Sequence, residues 1–560
     1  MPKYTIGLDF GTLSGRALLV DTSNGREIAD SVMSYPHAVM DEYLPGSDVR
    51  LPQSTALQHP QDYLDVAEFI IRDVIQKAEV DKKDVIGISI DFTTCTILPI
   101  RKDGTPLCFE EKYHLNPYAY AKLWKDHSSQ PYADRITEAA IARHEPWLER
   151  CGGKVSSEWM FPKVWQILDK DPELYEDCDL IIEAGDWMTF ILTGRYTKSY
   201  AYAASKALYF PECGGYPSEE FFASLDERLR YVVKDKLNAP VIGLCARAGK
   251  VTSKAAERFG LCEGTAVGVP HPDAHVAPPA LNMRHEGDMC AVFGTSSCYM
   301  LIGHKDAVAK GTCGTSKDIL MPGFYGYESG LCCVGDLFAW LCDNLAPAEY
   351  KEEAQKLGIP LIRYIIGKAA KQAPGEHGLI ALDWWNGNRN VIVDSELTGL
   401  LIGMDLRTRA EDILRALIEA TAFATKVIID TFAEYEIPVK RIIACGGIAR
   451  KDPFTMQLYA DVLNVEIGIA GSSQIPALAS AIFASVAAGS SAGGYDDIYE
   501  ASAHMSNVSD TKYTPDPEAH RVYMQLYEEY KRLHDYFGRG ENDVMKRLLA
   551  IKAQSSRKQK

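Results

Sequence analysis

The chain has 560 residues and a formal net charge of −17 at pH 7, with 46% hydrophobic and 24% charged residues. At roughly 100–200 residues per domain this length calls for two large domains or more, and the composition excludes a disordered or fibrous chain. The acidic balance excludes a general nucleic-acid or anionic-membrane binder, which needs a basic surface, but a few backbone amides can still hold a phosphate on an acidic protein.

The first elements are strands. Residues 4–8 are β-rich and run into Asp9-Phe10-Gly11-Thr12, 17–21 form a second strand, Ser23-Asn24-Gly25 supplies a turn, and 28–34 form a third strand. Apolar residues at helical spacing predict a helix over 60–78. A buried strand at 85–90 ends in Asp91-Phe92-Thr93-Thr94-Cys95. Strands, helix and strand in this order fit an α/β domain with a mixed sheet.

Phe10-Gly11-Thr12-Leu13-Ser14 recurs as Phe293-Gly294-Thr295-Ser296-Ser297, 283 residues later, each copy between two apolar runs. The second copy is followed by a helix expected at 331–341, a long helix at 409–435, a strand at 441–445 and then Gly446-Gly447. This points to a duplicated α/β domain, divided into 1–283 and 284–560, with the break where Pro278-Pro279 and Gly287 interrupt regular structure. The Ala/Ser-rich run 475–489 is expected to be a small-residue helix packed inside a domain rather than a membrane span. Charged helical stretches are expected at 528–533 and 543–551, before a frayed end, SSRKQK.

The fourteen cysteines form no CxxC pair and no zinc spacing, which fits reduced thiols. The beginning of the chain lacks an apolar signal core. Both features lead to the expectation of a cytoplasmic protein with no membrane partner.

A strand that ends in Gly-Thr and turns tightly exposes consecutive amides and hydroxyls, a concave anion site that suits phosphate. Two related turns on facing domains can clamp a polyphosphate. Asp9 stands where a carboxylate can hold Mg²⁺ through water, and Arg16 is near enough to neutralise phosphate charge. Gly446-Gly447 after a buried strand resembles a nucleotide turn on which adenosine can lie flat. Either glycine feature alone would equally suit an ordinary turn.

These residues resemble the FGGY carbohydrate kinases. The resemblance runs from residue 6 to about 488 and is carried by Ile6-Gly7-Leu8-Asp9-Phe10-Gly11-Thr12 with Arg16, Phe161-Pro162-Lys163-Val164-Trp165, Asp186-Trp187, Leu192-Thr193-Gly194, Asp273, Phe293-Gly294-Thr295, Gly399-Leu400-Leu401-Ile402-Gly403-Met404 and Gly446-Gly447. It implies a duplicated actin-like, ribonuclease-H-like ATPase fold with an interdomain cleft that closes on binding. Lys122-Leu123-Trp124-Lys125-Asp126-His127, Asp91-Phe92-Thr93-Thr94-Cys95-Thr96, Asp273-Ala274-His275, Tyr325-Gly326-Tyr327-Glu328 and Cys445-Gly446-Gly447-Ile448-Ala449-Arg450-Lys451 resemble the branch acting on L-ribulose.

The resemblance implies ATP and Mg²⁺ as cofactors and a small ketopentose as the partner molecule. The implied reaction phosphorylates the terminal hydroxyl of L-ribulose to L-ribulose 5-phosphate in arabinose catabolism. Asp273 is the implied general base. Thr12, Ser14 and Arg16 are expected on the transferring phosphoryl, with Gly294 and Thr295 opposite, and Gly335, Gly446 and Gly447 at the nucleotide. Lys206 and Glu328 are the expected polar contacts of the sugar, with Asp91, Thr94 and Cys95 lining its pocket. Trp124 and His127, on an expected KLWKDH helix, read as scaffold, and His275 can orient Asp273. Several family members carry Asn after the Gly-Gly turn where this chain has Lys451. A kinase for D-ribulose, xylulose or a polyol, and a non-enzymatic actin-like nucleotide sensor, are the alternatives. A homodimer is compatible with the sequence.

Overall fold

The computed structural model describes residues 2–557. The chain forms two compact units. The first holds the chain up to Arg284 together with Gly314–Gly326 and Gln474–Asn507, and the second holds His285–Cys313, Tyr327–Ser473 and the chain from Val508 onward.

In the first unit, strands β1 (Tyr4–Phe10), β2 (Ser14–Asp21) and β3 (Glu27–Ser34) form an antiparallel meander. Strand β4 (Val85–Phe92) joins β1 in parallel, after the helix Pro60–Ala78. Strands β5 (Arg247–Lys250), β6 (Ala266–Gly268) and the short β7 (His271–Pro272) complete a seven-stranded sheet. Its order is β5-β6-β4-β1-β2-β3, with β7 beside β4. The central strands are buried along most of their length, as their near-continuous apolar runs require.

The Ala/Ser-rich helix, Ile475–Ala488, lies on this sheet and is almost wholly buried. Its small side chains bring backbone against backbone. A Cβ added at Gly7 would stand 1.7 Å from the Ala477 carbonyl oxygen, and one at Gly87 2.4 Å from that of Ala484. One glycine on each of β1 and β4 therefore lets the helix sit closer than any side chain would allow.

In the second unit, β8 (Asp288–Phe293) and β9 (Ser297–Gly303) are antiparallel, and β11 (Arg441–Cys445) pairs β8 in parallel. With β10 (Tyr325–Leu331), β12 (Ile467–Ala470) and β13 (Val508–Tyr513) the order is β10-β9-β8-β11-β12-β13. The run β10-β9-β8-β11 repeats β3-β2-β1-β4, with the same antiparallel hairpin and parallel neighbour. The two FGT segments are thus the same turn of one duplicated topology.

Some expectations are corrected. KLWKDH is not helical: Lys122 pairs with Leu57 and Ile97 in a small sheet, and Asp126 accepts the Ser128 amide and the Ala56 amide, both at 3.1 Å, in a turn. The helix expected from 331 begins at Gly335, because β10 runs through Leu331. The tail helices are longer than expected, Pro517–Gly538 and Val544–Arg557, and residues 558–560 of the segment expected to fray lie outside the described residues. The first unit also contains a second core, built around Leu57, Ile97, Trp165 and Phe221.

Candidate active site

Three strand ends meet at one edge of the first sheet. In register, Asp9 pairs with Arg16 on β2 and with Asp91 on β4, while His271 on β7 pairs with Asp91. Asp273 follows β7, and its amide donates to the Phe92 carbonyl at 2.9 Å. Parallel register alone therefore gathers Asp9, Asp91 and Asp273. Beneath them Phe10 and Phe92 stack at 5.1 Å with Tyr63 edge-on to both, a contact worth about 0.5–1.5 kcal/mol per pair beyond burial.

Burial decides how these carboxyls titrate. Asp9 is raised above its ordinary value by burial, with the Arg16 guanidinium at 3.2 Å opposing the rise. Asp91 is fully buried and raised much further, first by burial and then by the charge on Asp9. Its Oδ2 accepts from Ser480 Oγ at 2.7 Å, and the charges of Asp9 and Asp273 both act on it. Neighbouring carboxyls in a low dielectric penalise each other's ionisation, which is the second cause of the rise at Asp91. Asp273 is half-buried and raised to about 7, by burial first and then by Asp9. The Ala274 amide donates to its Oδ1 at 2.7 Å and works against the rise.

The Gly11–Ser14 turn closes through Gly11 N–H to the Ser14 carbonyl at 3.0 Å. Three neighbours hold it. Tyr35 donates to the Gly11 carbonyl at 3.0 Å, Gln58 Nε2 to the Thr12 carbonyl at 2.7 Å, and Trp124 Nε1 to the Thr12 hydroxyl at 3.0 Å. A Cβ at Gly11 would come no nearer than 3.7 Å to another atom. The protein leaves that face open, which suits the close approach of a ligand.

Thr94 and Cys95 follow β4. Cys95 is buried with a left-handed backbone at φ 62°, and its carbonyl accepts the buried Lys163 Nζ at 2.7 Å. Lys163 also donates to the Leu123 carbonyl at 2.9 Å, tying this loop to the turn that carries Trp124. Lys206 ends the helix Tyr200–Lys206, half-exposed, with Nζ 5.4 Å from the Trp159 ring centroid. His127 is exposed and pairs with Ser157 Oγ, whereas His275 is buried two residues beyond Asp273.

In the second unit Gly294 N–H donates to the Ser296 carbonyl at 3.0 Å, closing the repeat of the first hairpin. Gly335 and Val334 donate their amides to Gly294 and Thr295, at 3.0 and 2.9 Å. A Cβ at Gly335 would lie 2.6 Å from the Gly294 oxygen, so the helix Gly335–Asn344 starts in contact with the turn. Gly294, Thr295, Gly335 and Gly447 open on one cavity of about 1010 Å³, walled by Phe338, Ile362 and Phe454 and edged by Arg363 and Lys451. Gly446 stands at φ 96°, where a Cβ would strike the Phe293 oxygen at 2.3 Å, while a Cβ at Gly447 would meet nothing. Glu328 lies half-exposed on β10, its carbonyl accepting the Cys313 amide.

Tyr35, Gln58 and Ser480 lie in no motif and become visible only through the fold. The cavity walls Ile362 and Ile366 carry only the ordinary spacing of an amphipathic helix. Lys163 sits in Phe161-Pro162-Lys163, where the sequence marks the residue but not its task.

Carboxyls gather beside one turn, and an apolar cavity opens beside its repeat. The chain belongs to the FGGY family of carbohydrate kinases: its N-terminal domain profile matches residues 4–277 and its C-terminal domain profile residues 289–488. Among sequence relatives, the ribulokinase of Anoxybacillus flavithermus is 50% identical over 98% of this chain and 96% of its own. The ribulokinase of Geobacillus thermodenitrificans is 48% identical over the same shares. The fold is shared with the crystal structure of a gluconate kinase from Lactobacillus acidophilus, at TM-score 0.77 and 19% identity, covering 96% of this chain and 99% of that one.

Proposed function

We propose that this kinase transfers the γ-phosphoryl group of ATP to the terminal hydroxyl of L-ribulose, giving L-ribulose 5-phosphate in L-arabinose catabolism. The observation that carries the reading is full-length identity near one half to ribulokinases; burial, and then the Asp9 charge, raises the Asp273 carboxyl to about 7, which suits the base. A sugar hydroxyl is a poor nucleophile, and a base whose pKa lies near the working pH accepts its proton best. In this reading Asp273 takes the hydroxyl proton as the new O–P bond forms and the bond to the ADP oxygen breaks.

Thr12, Ser14 and Arg16 position the transferring phosphoryl with the open amides of the first turn. Gly294 and Thr295 are assigned to the phosphate oxygens, Gly294 allowing close approach while its own amide closes the turn on Ser296, and the cavity bordered by Gly335 and Gly447 takes the nucleoside, with Gly446 setting the turn and Lys451 at its edge. An apolar wall of Phe338, Ile362 and Phe454 suits a flat base. Lys206 and Glu328 are assigned to the sugar's oxygens, and Thr94 and Cys95 to the pocket wall. Asp91 is assigned to the base of the sugar pocket, where it is buried and its charge acts on Asp9 and Asp273.

A divalent ion fits here: Asp9 offers hard oxygen donors beside two further carboxyls, the donor type Mg²⁺ takes, with water completing its shell. Mg²⁺ bound with ATP supplies neutralisation of phosphate charge. Among the described residues no helix is long and apolar enough to cross a membrane, and we place the enzyme in the cytoplasm with its substrates.

The test couples ADP release to a panel of ketopentoses. L-Ribulose is expected to give the highest kcat/KM, and Asp273→Asn to lose turnover while still binding nucleotide. Preference for D-ribulose or xylulose would change the substrate, and ADP release indifferent to any sugar would overturn the kinase reading.

A further inference from the structure

A second cluster of metal-ligating side chains lies away from the reacting carboxyls. His37 follows β3, His59 precedes the helix Pro60–Ala78, and Asp62 lies in that helix's first turn. His37 Nδ1 is 2.6 Å from Asp62 Oδ1, and the His37 amide donates to Asp62 Oδ2 at 2.9 Å. The two imidazoles stack with centroids 4.6 Å apart. One donor atom from each of the three residues lies within 4.8 Å of the others, the only such group among the described residues.

A tetrahedral ion with bonds of about 2.0–2.1 Å needs its ligand atoms about 3.3 Å apart. The three atoms lie within 4.8 Å of one another, with His37 Nδ1 only 2.6 Å from Asp62, so a shift of the exposed His37 ring sets that spacing. His59 Nδ1 accepts the Gln61 amide at 3.1 Å, which leaves Nε2 for an ion. The carboxylate of buried Asp62 offsets the positive end of the helix it starts. Two imidazoles and one carboxylate favour zinc, cobalt or nickel over magnesium.

We propose that His37, His59 and Asp62 bind one divalent transition-metal ion, separately from the ion that accompanies the nucleotide. The ion takes the place of the proton between His37 Nδ1 and Asp62 and leaves outer positions to water. Its reach extends to the first phosphate turn. Tyr35, two residues before His37, donates to the Gly11 carbonyl, and Gln58, next to His59, donates to the Thr12 carbonyl. Fixing the two histidines on one ion restrains the two segments that hold residues 11–14.

Cobalt(II) is the probe, because its visible bands distinguish nitrogen and oxygen ligands from the chain's free thiols. Chelator-stripped full-length protein is titrated with Co²⁺ in excess Mg²⁺. One equivalent is expected to bind without a thiolate charge-transfer band. Affinity should fall about 10–100-fold or more in His37→Ala and in His59→Asn, the latter keeping an oxygen to cap the helix. Thermal melts establish that both variants are folded. Hydrogen exchange at residues 11–14 should slow on Co²⁺ addition in the wild type and not in His37→Ala. No saturable binding, a thiolate band, or affinity unchanged in both variants would overturn the site. Unchanged exchange in the cobalt-bound wild type would overturn its link to the turn.

Discussion

The indole nitrogen of Trp124 donates a 3.0 Å hydrogen bond to the hydroxyl of Thr12, from a turn 112 residues further along the chain. The bond fixes the Thr12 rotamer and occupies an acceptor position on its oxygen, which leaves the hydroxyl hydrogen to be donated to a phosphate oxygen. Trp124→Phe keeps most of the packing and removes the donor. A net hydrogen bond of about 1 kcal/mol predicts a loss of roughly fivefold in kcat/KM for ATP, with little change in melting temperature. Steady-state kinetics check it; an unchanged kcat/KM would mean that Thr12 needs no outside help.

Asp273 carries the largest predicted effect. Asp273→Asn should lower kcat by about 10²–10⁴-fold, the span expected for losing a positioned base, while calorimetry still finds nucleotide binding. The pH profile follows from the sign of its shift. A base works only when deprotonated, so with a pKa of about 7 the free enzyme loses activity as pH falls through neutrality and reaches a plateau above it. Part of the rise comes from the Asp9 charge. The Mg²⁺ proposed beside Asp9 would compensate that charge, so the acidic limb of kcat should lie below the limb of kcat/KM. Coincident limbs would separate Asp9 from the metal.

Strands, the long helix and the duplication were legible in the sequence because buried parallel strands and amphipathic helices leave periodic patterns, and because the FGT segment occurs twice. The turn glycines and Asp273 were legible as motif. What could not be read is what depends on distant segments meeting. Register sets Asp91 beside Asp9, and its hydrogen-bond donor Ser480 lies 389 residues away. KLWKDH has helical composition, but Asp126 spends its carboxylate on amides of a turn, which local preference alone does not reveal. The membership of residues 474–507 in the first unit follows from glycines on β1 and β4 making room for a helix, a steric fact invisible to pattern.

Gly446 and Gly447 predict opposite outcomes for the same substitution. Gly446→Ala places a Cβ 2.3 Å from the Phe293 oxygen in a backbone at φ 96°, so the loss should appear as a lower melting temperature. Gly447→Ala meets no protein atom within 4 Å, so the melting temperature should stay as it is. Its methyl instead projects where the cavity opens, and KM for ATP should rise with kcat for bound substrate less affected. Differential scanning fluorimetry and kinetics on both variants check the pair. Equal ATP affinity in wild type and Gly447→Ala would remove the nucleotide from that turn.

Asp91 offers a prediction about stability rather than turnover. Folding raises its pKa well above the ordinary 3.8, because burial and the Asp9 charge penalise the ionised form. The unfolded chain releases that proton readily above 3.8, so the stability tied to a neutral Asp91 is fully present below that value and is lost as pH rises through the folded-state value. Asn resembles the neutral acid: its oxygen accepts from Ser480 and its amide donates to Asp9. Asp91→Asn should therefore unfold at a higher temperature than the wild type at neutral pH, and the gap should close as pH falls below the ordinary carboxylate value. Melting curves across that range decide it. A variant less stable than the wild type at neutral pH would show that Asp91 is ionised in the folded protein, paired with a charge other than Asp9.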